Sequence, residues 1–284
     1  MTATRLQLLV CSYGLQGLER LARSKRPQVE GVAYLVSCQM PQDDTLQAAN
    51  TELQTFLQRE DVDLHILHNR GLSKNRNHAL ALATAPLSLL SDDDLDYTAE
   101  ALQAVIRAFE LHPKADVISF QFHQEGQEKA YPSKGFHHQH PPKGYYISSC
   151  EIAFRTQSLQ GKFQFNENFG VGSAHFPCGE EDILLKDLLK AGLHCLFEPI
   201  YICTHPSLST GAKRFADPIF LQTKGAVFSY IHPRSWWLRL IKGACDEARK
   251  KRVSPWKFLS NTLKGVCKAR RLKVFSKAQS AKIS

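Results

Sequence analysis

The chain has 284 residues, 43% hydrophobic and 22% charged, which suits one large soluble domain or a domain with an appendage. No apolar run approaches the roughly 18–20 residues that span a bilayer, and the N-terminus lacks a long apolar stretch with a small-residue cleavage site, so neither a membrane span nor a signal peptide is expected. The net charge of +9 is uneven: from Arg234 onward 15 lysines and arginines face two acids, Asp246 and Glu247, while residues 1–233 hold 21 basic and 25 acidic side chains. A slightly acidic body with a strongly basic tail marks a boundary near residue 233.

In chain order, strand-like LQLLVCSY (6–13) leads into a helical spacing over 15–24, then strand VAYLVSC (32–38) and a polar helical stretch from Thr45 to Leu57. Strand VDLHILH (62–68), helix LSKNRNHALALA (72–83), strand PLSLL (86–90) and a helix over 98–111 follow. Such alternation predicts an α/β fold with a mostly parallel sheet, whose ligands sit beyond the carboxyl ends of the strands. After ADVISFQF (115–122), residues 124–144 have the Gln, His, Pro and Lys content of a long surface loop. YYISSCEIAFR (145–155) is expected as a strand, 180–191 as a helix stopped by Gly192, and HCLFEPIYICTHP (194–206) as the last strand of the body. The eight cysteines include no C-x-x-C pair and no zinc-ribbon spacing, so reduced thiols in a cytoplasmic protein are expected. The HHQH run at 137–140 lies in a Pro-flanked stretch without partner spacing.

Four features could carry chemistry. LLSDDDLDY (89–97) crowds four carboxylates behind an apolar run, and they repel unless a cation or donors compensate. An EF-hand is excluded, since Tyr97 and Gln103 stand where it needs Gly and Glu. A solvated Asp turn, a phosphatase-like DLDYT (94–98) with Asp94 as nucleophile, and a divalent-cation site on Asp92 and Asp94 remain open. In NRGLSKNRNHAL (69–80), Ser73 resembles an N-cap, placing Lys74 and Arg76 in the first helical turn. Cations there oppose the helix dipole, and a bound phosphate would explain them. CGEEDILLKDLLKAG (178–192) puts Glu180, Glu181 and Asp182 at a helix start, either as routine dipole partners or with one carboxylate as a general base. Lastly, His205 follows a strand end, where an imidazole is either structural or an extra ligand beside a carboxylate-bound cation.

Together, GLSKNRNHAL, SDDD, GEED and THPSLSTG resemble, in order and spacing over residues 6–211, the family 2 glycosyltransferases of GT-A fold, of the bacterial glycan-biosynthesis type. Asn75 departs from the family's usual Ala, and LVCSYG keeps only Tyr13 of its opening signature. The resemblance implies an inverting, metal-dependent transfer from a nucleotide-diphosphate sugar, a UDP-sugar favoured, to a glycan or lipid-linked hydroxyl. It also implies that Asp94, Asp92 and His205 hold Mn²⁺ or Mg²⁺, and that Ser12, Tyr13, Lys74, Arg76, Asn77, Asp92 and Asp93 meet the nucleotide-sugar. Asp182 would be the base, with Glu181 the competing choice. The expected organisation is a catalytic domain over 1–233, nucleotide-sugar half 1–112 and acceptor half 113–233, with a helical tail over 234–284.

That tail joins WWLRLI (236–241) to basic clusters such as RKKR (249–252), with an apolar stripe at 259, 263 and 266. The stripe suits either peripheral contact with an anionic membrane or packing on the protein's own body. A nucleic-acid-binding tail is the remaining alternative, and it leaves the acidic features without a purpose, so no nucleic-acid partner is expected.

Overall fold

The computed structural model describes residues 3–126, 128–205 and 217–275. Its contacts divide the chain into two compact units, the first comprising 1–70, 74–163 and 188–208, the second 71–73, 164–187 and 209–284.

The first unit contains a sheet of eight strands among the described residues, ordered β3-β2-β1-β4-β7-β5-β8-β6. Strands β1 (Leu6–Tyr13), β2 (Val32–Gln39), β3 (Val62–Leu67) and β4 (Leu87–Asp92) pair in parallel. They are joined through α1 (Gly14–Arg23), α2 (Thr51–Leu57) and α3 (Leu72–Leu82). After α4 (Ala99–Leu111) come β5 (Val117–Gln124), the two-residue β6 (Phe136–His137), β7 (Ile152–Arg155), the single turn α5 (Thr156–Leu159) and, beyond the second unit's 164–187 segment, β8 (Cys195–His205). β8 runs parallel to β5, whereas β7 lies antiparallel between β4 and β5.

Alternation places the strands. Leu6, Leu8 and Val10 of β1 and Val32, Tyr34 and Val36 of β2 share one core with Leu18 and Leu21 of α1, Leu53 and Phe56 of α2, and Leu102, Val105, Ile106 and Phe109 of α4. The intervening Leu9, Leu35 and Leu90 are also buried, so these strands are apolar on both faces.

Several expected boundaries move. The polar stretch 45–57 splits into a 3-10 turn (Leu46–Ala48) and α2, with Asn50 capping the helix through Leu53 N–H. β4 runs two residues past its expected end, to Asp92, the first residue of the acidic cluster, because the ladder with β1 continues to the Cys11–Asp92 pair. Residues 145–155 form a strand only from Ile152, after a 3-10 turn (Ser149–Glu151).

The 124–144 segment is not simply a surface loop. Fully buried Glu151 accepts from Tyr131 at 2.7 Å and pairs with the Lys129 ammonium. That ammonium also lies over the rings of Tyr131, Tyr145 and Tyr146. His138, from the HHQH run, is buried against Ser119 Oγ at 2.8 Å, and burial lowers its pKa to about 4.

In the second unit, α6 (Glu180–Lys190) begins within the 164–187 segment, and α7 (Pro218–Ile231), α8 (Trp236–Arg249) and α9 (Pro255–Arg271) follow. Stacked Phe169 and Phe176 pack with Ile183, Ala226, Val227, Ala269 and Val274. α7 and α9 meet at two glycines: a Cβ on Gly225 would stand 2.0 Å from Thr262 O, and one on Gly265 would stand 1.8 Å from Gln222 O. Part of the tail therefore packs inside its own unit, with Phe258 and Val266 buried. Trp237, Leu238 and Ile241 of α8 and Trp256 and Leu263 of α9 remain exposed. Among the described residues no helix is long and apolar enough to cross a membrane.

Candidate active site

The carboxyl ends of β1, β4 and β8 and the start of α3 gather Ser12, Arg76, Asp92, Asp93, Asp94 and His205 within the first unit. Asp92 closes β4, and its Oδ1 lies 3.4 Å from the guanidinium of Arg76, which is buried. Behind it, Arg26 donates to Ser91 Oγ (2.9 Å) and to the Asp92 carbonyl (2.7 Å), with its guanidinium 4.9 Å from the Tyr97 ring centroid.

Asp93 turns inward. It accepts from Ser12 Oγ at 2.9 Å and from Arg20 through three contacts of 3.1–3.3 Å. Burial raises its pKa to about 6, opposed by the Arg20 charge and the Ser12 hydrogen bond. Helix α1 can approach this pair because residue 17 is glycine: a Cβ there would lie 2.4 Å from Ser12 Oγ and 2.6 Å from Asp93 Oδ2.

Asp96 positions the turn. Its backbone exchanges two 2.9 Å hydrogen bonds with Thr204, and its Oδ1 accepts from Lys25 N–H at 2.7 Å. Tying the acidic turn to the end of β8 places His205 Nε2 3.4 Å from Asp94 Oδ2. Both side chains keep some exposure, 17% for His205 and 32% for Asp94. Donors so spaced suit one small cation, because neighbouring ligands at about 2.1 Å in an octahedral shell stand about 3 Å apart. Among the described residues no group of three or more His, Cys, Asp or Glu could hold a metal ion.

Ser73 is not an N-cap: α3 starts at Leu72, so Ser73 sits in the first turn and donates to the Phe169 carbonyl at 2.6 Å. Lys74 is exposed, Asn77 half-buried, and Tyr13 exposed with the Arg70 guanidinium 5.9 Å from its ring centroid. Asn75 donates to the carbonyls of Ser12 (3.1 Å) and Ser37 (2.9 Å), joining the ends of β1 and β2.

The three acids of GEED separate by burial. Glu180 is buried in the second unit, where a Cβ on Gly170 would meet its carboxyl carbon at 3.2 Å, while Glu181 and Asp182 stay partly exposed on α6. Of the THPSLSTG segment, residues 206–211 lie outside the described residues.

Sequence reasoning did not single out Arg20 or Arg26. Both are ordinary basic residues in and just after α1, and only the tertiary fold brings them to the β4 end.

Residues 41–179 match the family described as glycosyl transferase family 2. No curated protein matches the sequence. Among solved structures, S. aureus TarS 1-349 in complex with UDP is similar at a TM-score of 0.58 and 14% identity, covering 94% of this chain and 91% of that one. The chain spans only 39% of the longer S. aureus TarS chain, at a TM-score of 0.56 and 16% identity over 79% of its own length. A mannosyltransferase from Pyrobaculum calidifontis, in complex with GDP-Man and Mn²⁺, gives 0.52 and 13%, covering 95% of this chain and 76% of that one. At these identities the likeness establishes a shared fold.

Proposed function

We propose that the chain is a family 2 glycosyltransferase, a reading supported by the family match over residues 41–179 and by the shared fold, and that it moves a sugar from a nucleotide-diphosphate donor to a hydroxyl of a glycan or lipid-linked acceptor, with inversion. The observation that carries this reading is the Asp94–His205 pair beside Asp92 and Arg76 at the carboxyl ends of parallel strands, where such sheets bind ligands. The similar TarS and mannosyltransferase structures hold UDP and GDP-Man respectively, which supports a nucleotide-sugar donor of either base.

In this reading the Asp94–His205 pair would hold Mn²⁺ or Mg²⁺, with substrate phosphates and water completing its shell. When bound, the cation would offset negative charge on the leaving diphosphate, and Asp92, facing Arg76, would meet the nucleotide. Arg76, already buried beside Asp92, supplies a fixed positive charge on the same side, and Lys74 offers a second, solvated one. Ser12, Tyr13 and Asn77 serve the nucleotide, with exposed Tyr13 available for stacking on the base. Asp93 contributes through the pair it makes with Ser12 and Arg20, which fixes the turn between Asp92 and Asp94.

The acceptor oxygen attacks the anomeric carbon as the bond to the diphosphate breaks, the bonding pair leaving with the diphosphate. The acceptor proton passes to Asp182, or to Glu181 in the competing assignment. Both assignments rest on motif order and on partial exposure at a helix start. The expected division into a donor half over 1–112 and an acceptor half over 113–233 belongs to the same proposal.

We extend the proposal to an anionic lipid surface as a peripheral partner of α8 and α9. It is supported by Trp237, Leu238, Ile241 and Trp256, exposed in a segment where lysines and arginines far outnumber acids. The corresponding location is the cytoplasmic face of a membrane.

The base assignment is tested by nucleoside-diphosphate release from UDP- and GDP-sugars with Mn²⁺. Asp182→Asn should lose about 10²-fold or more in turnover while binding the diphosphate as the wild type does. Loss in Glu181→Gln with Asp182→Asn unaffected would reassign the base.

A further inference from the structure

Gln124 is the last residue of β5. It is 8% exposed, and its side-chain nitrogen, shut off from water, has no hydrogen-bond partner among the described residues. A buried amide donor left unpaired costs stability, and it sits one strand from the acidic site. Gln124 is the parallel register partner of His205, so their side chains leave the same face of the sheet. The imidazole of His205 in turn lies 3.4 Å from Asp94.

The strand order says which part of a substrate would reach it. Ser12 and Tyr13 end β1, Asp92 ends β4, and β5 and β8 lie on the far side of β4 from β1. A nucleotide-sugar with its base at the β1 end and its diphosphate at Asp92 and Asp94 extends its sugar towards β5 and β8. The chemistry agrees. A neutral carboxamide is a weak partner for a diphosphate but a good one for a hydroxyl, giving a donor to the oxygen and an acceptor for its proton. Because the amide nitrogen holds no partner among the described residues, turning it towards the strand ends breaks no hydrogen bond of its own with them.

We propose that Gln124 is a sugar-binding residue, its carboxamide hydrogen-bonded to a hydroxyl of the sugar being transferred. This rests on the donor reading above and adds the group that holds the sugar rather than the nucleotide. A site that hydrogen-bonds a sugar hydroxyl discriminates against sugars lacking it, since the buried amide is then left unpaired.

The test compares the wild type with Gln124→Met, close in length and volume but without donors. Affinities for UDP against UDP-GlcNAc, and for GDP against GDP-mannose, are measured by calorimetry with Mn²⁺ and no acceptor. The wild type should bind one sugar nucleotide more tightly than its diphosphate. The variant should bind that diphosphate within about twofold of wild type and lose about 5- to 10-fold on the sugar nucleotide, the scale of one neutral hydrogen bond.

A second measurement separates ligand binding from structure. The unliganded variant should melt no lower than the wild type, because it removes an unpaired buried donor. An equal sugar increment in both proteins, no sugar increment in the wild type, or a variant that melts several degrees lower and loses the diphosphate as well would each overturn the assignment. A wild type that binds no diphosphate at all would instead overturn the donor reading on which the assignment rests.

Discussion

Asp92, Asp93, Asp94 and Asp96 lie within five positions, yet each has a different partner. Asp92 faces Arg76, Asp93 is held by Ser12 and Arg20, Asp94 faces His205, and Asp96 is fixed to Lys25 and Thr204. Two of the four thus serve as scaffold for the other two. Gly17 is part of that scaffold. Gly17→Ala pushes a methyl group into the Ser12–Asp93 contact and should cost about 1–2 kcal/mol, from overpacking and a weakened hydrogen bond. Urea unfolding measures this, and an unchanged midpoint would show that the contact yields freely. His138 gives a pH signature. Its folded pKa of about 4 lies below the free value near 6.5, so on acidification the unfolded chain takes up a proton first. The stability it contributes is complete above about pH 6.5 and is lost as pH falls towards 4, amounting to ~2 kcal/mol by pH 5. Tyr145 and the Lys129 ammonium are the titratable and charged neighbours. His138→Gln should therefore lose less stability than wild type between pH 7 and pH 5, and equal losses would mean that this imidazole does not drive the acid response.

At the scale of elements, β1 was legible over Leu6–Tyr13 because a strand buried on both faces reads as an uninterrupted apolar run. β4 was harder. Its last residue is an aspartate, and only the ladder to Cys11 carries the strand that far. The 124–144 segment misled for a related reason: its lysine and histidine look solvent-seeking, but Glu151 and Ser119 bury them from other parts of the chain. The site divides in the same way. Residues in local motifs, such as Arg76, Asp92, Asp94 and His205, could be named from spacing, whereas Arg20, Arg26 and Gln124 have no local signature. In the tail, the expected packing on the protein's own body holds for part of the apolar stripe, Val266 being buried, while Trp256 is exposed. Trp237→Ala combined with Ile241→Ser should at least halve co-sedimentation of the full chain with phosphatidylserine-containing vesicles at low salt. Equal pelleting, or none by the wild type, would remove the membrane from the account.

At the scale of the whole molecule, the first unit supplies the acidic strand ends, Arg76 and His205, while the second carries Glu181, Asp182 and the basic helices. The central claim concerns the first unit alone: a diphosphate is held there with a divalent cation at Asp94. Calorimetric titration of UDP and GDP into the full chain, with Mn²⁺ and with the cation chelated, tests this most directly. The account predicts that one of the two binds in a Mn²⁺-dependent way, and that Asp94→Asn weakens that binding at least about tenfold, or ~1.4 kcal/mol, without lowering the melting temperature. Binding that ignores both the cation and the substitution, or no binding of either diphosphate, would contradict it.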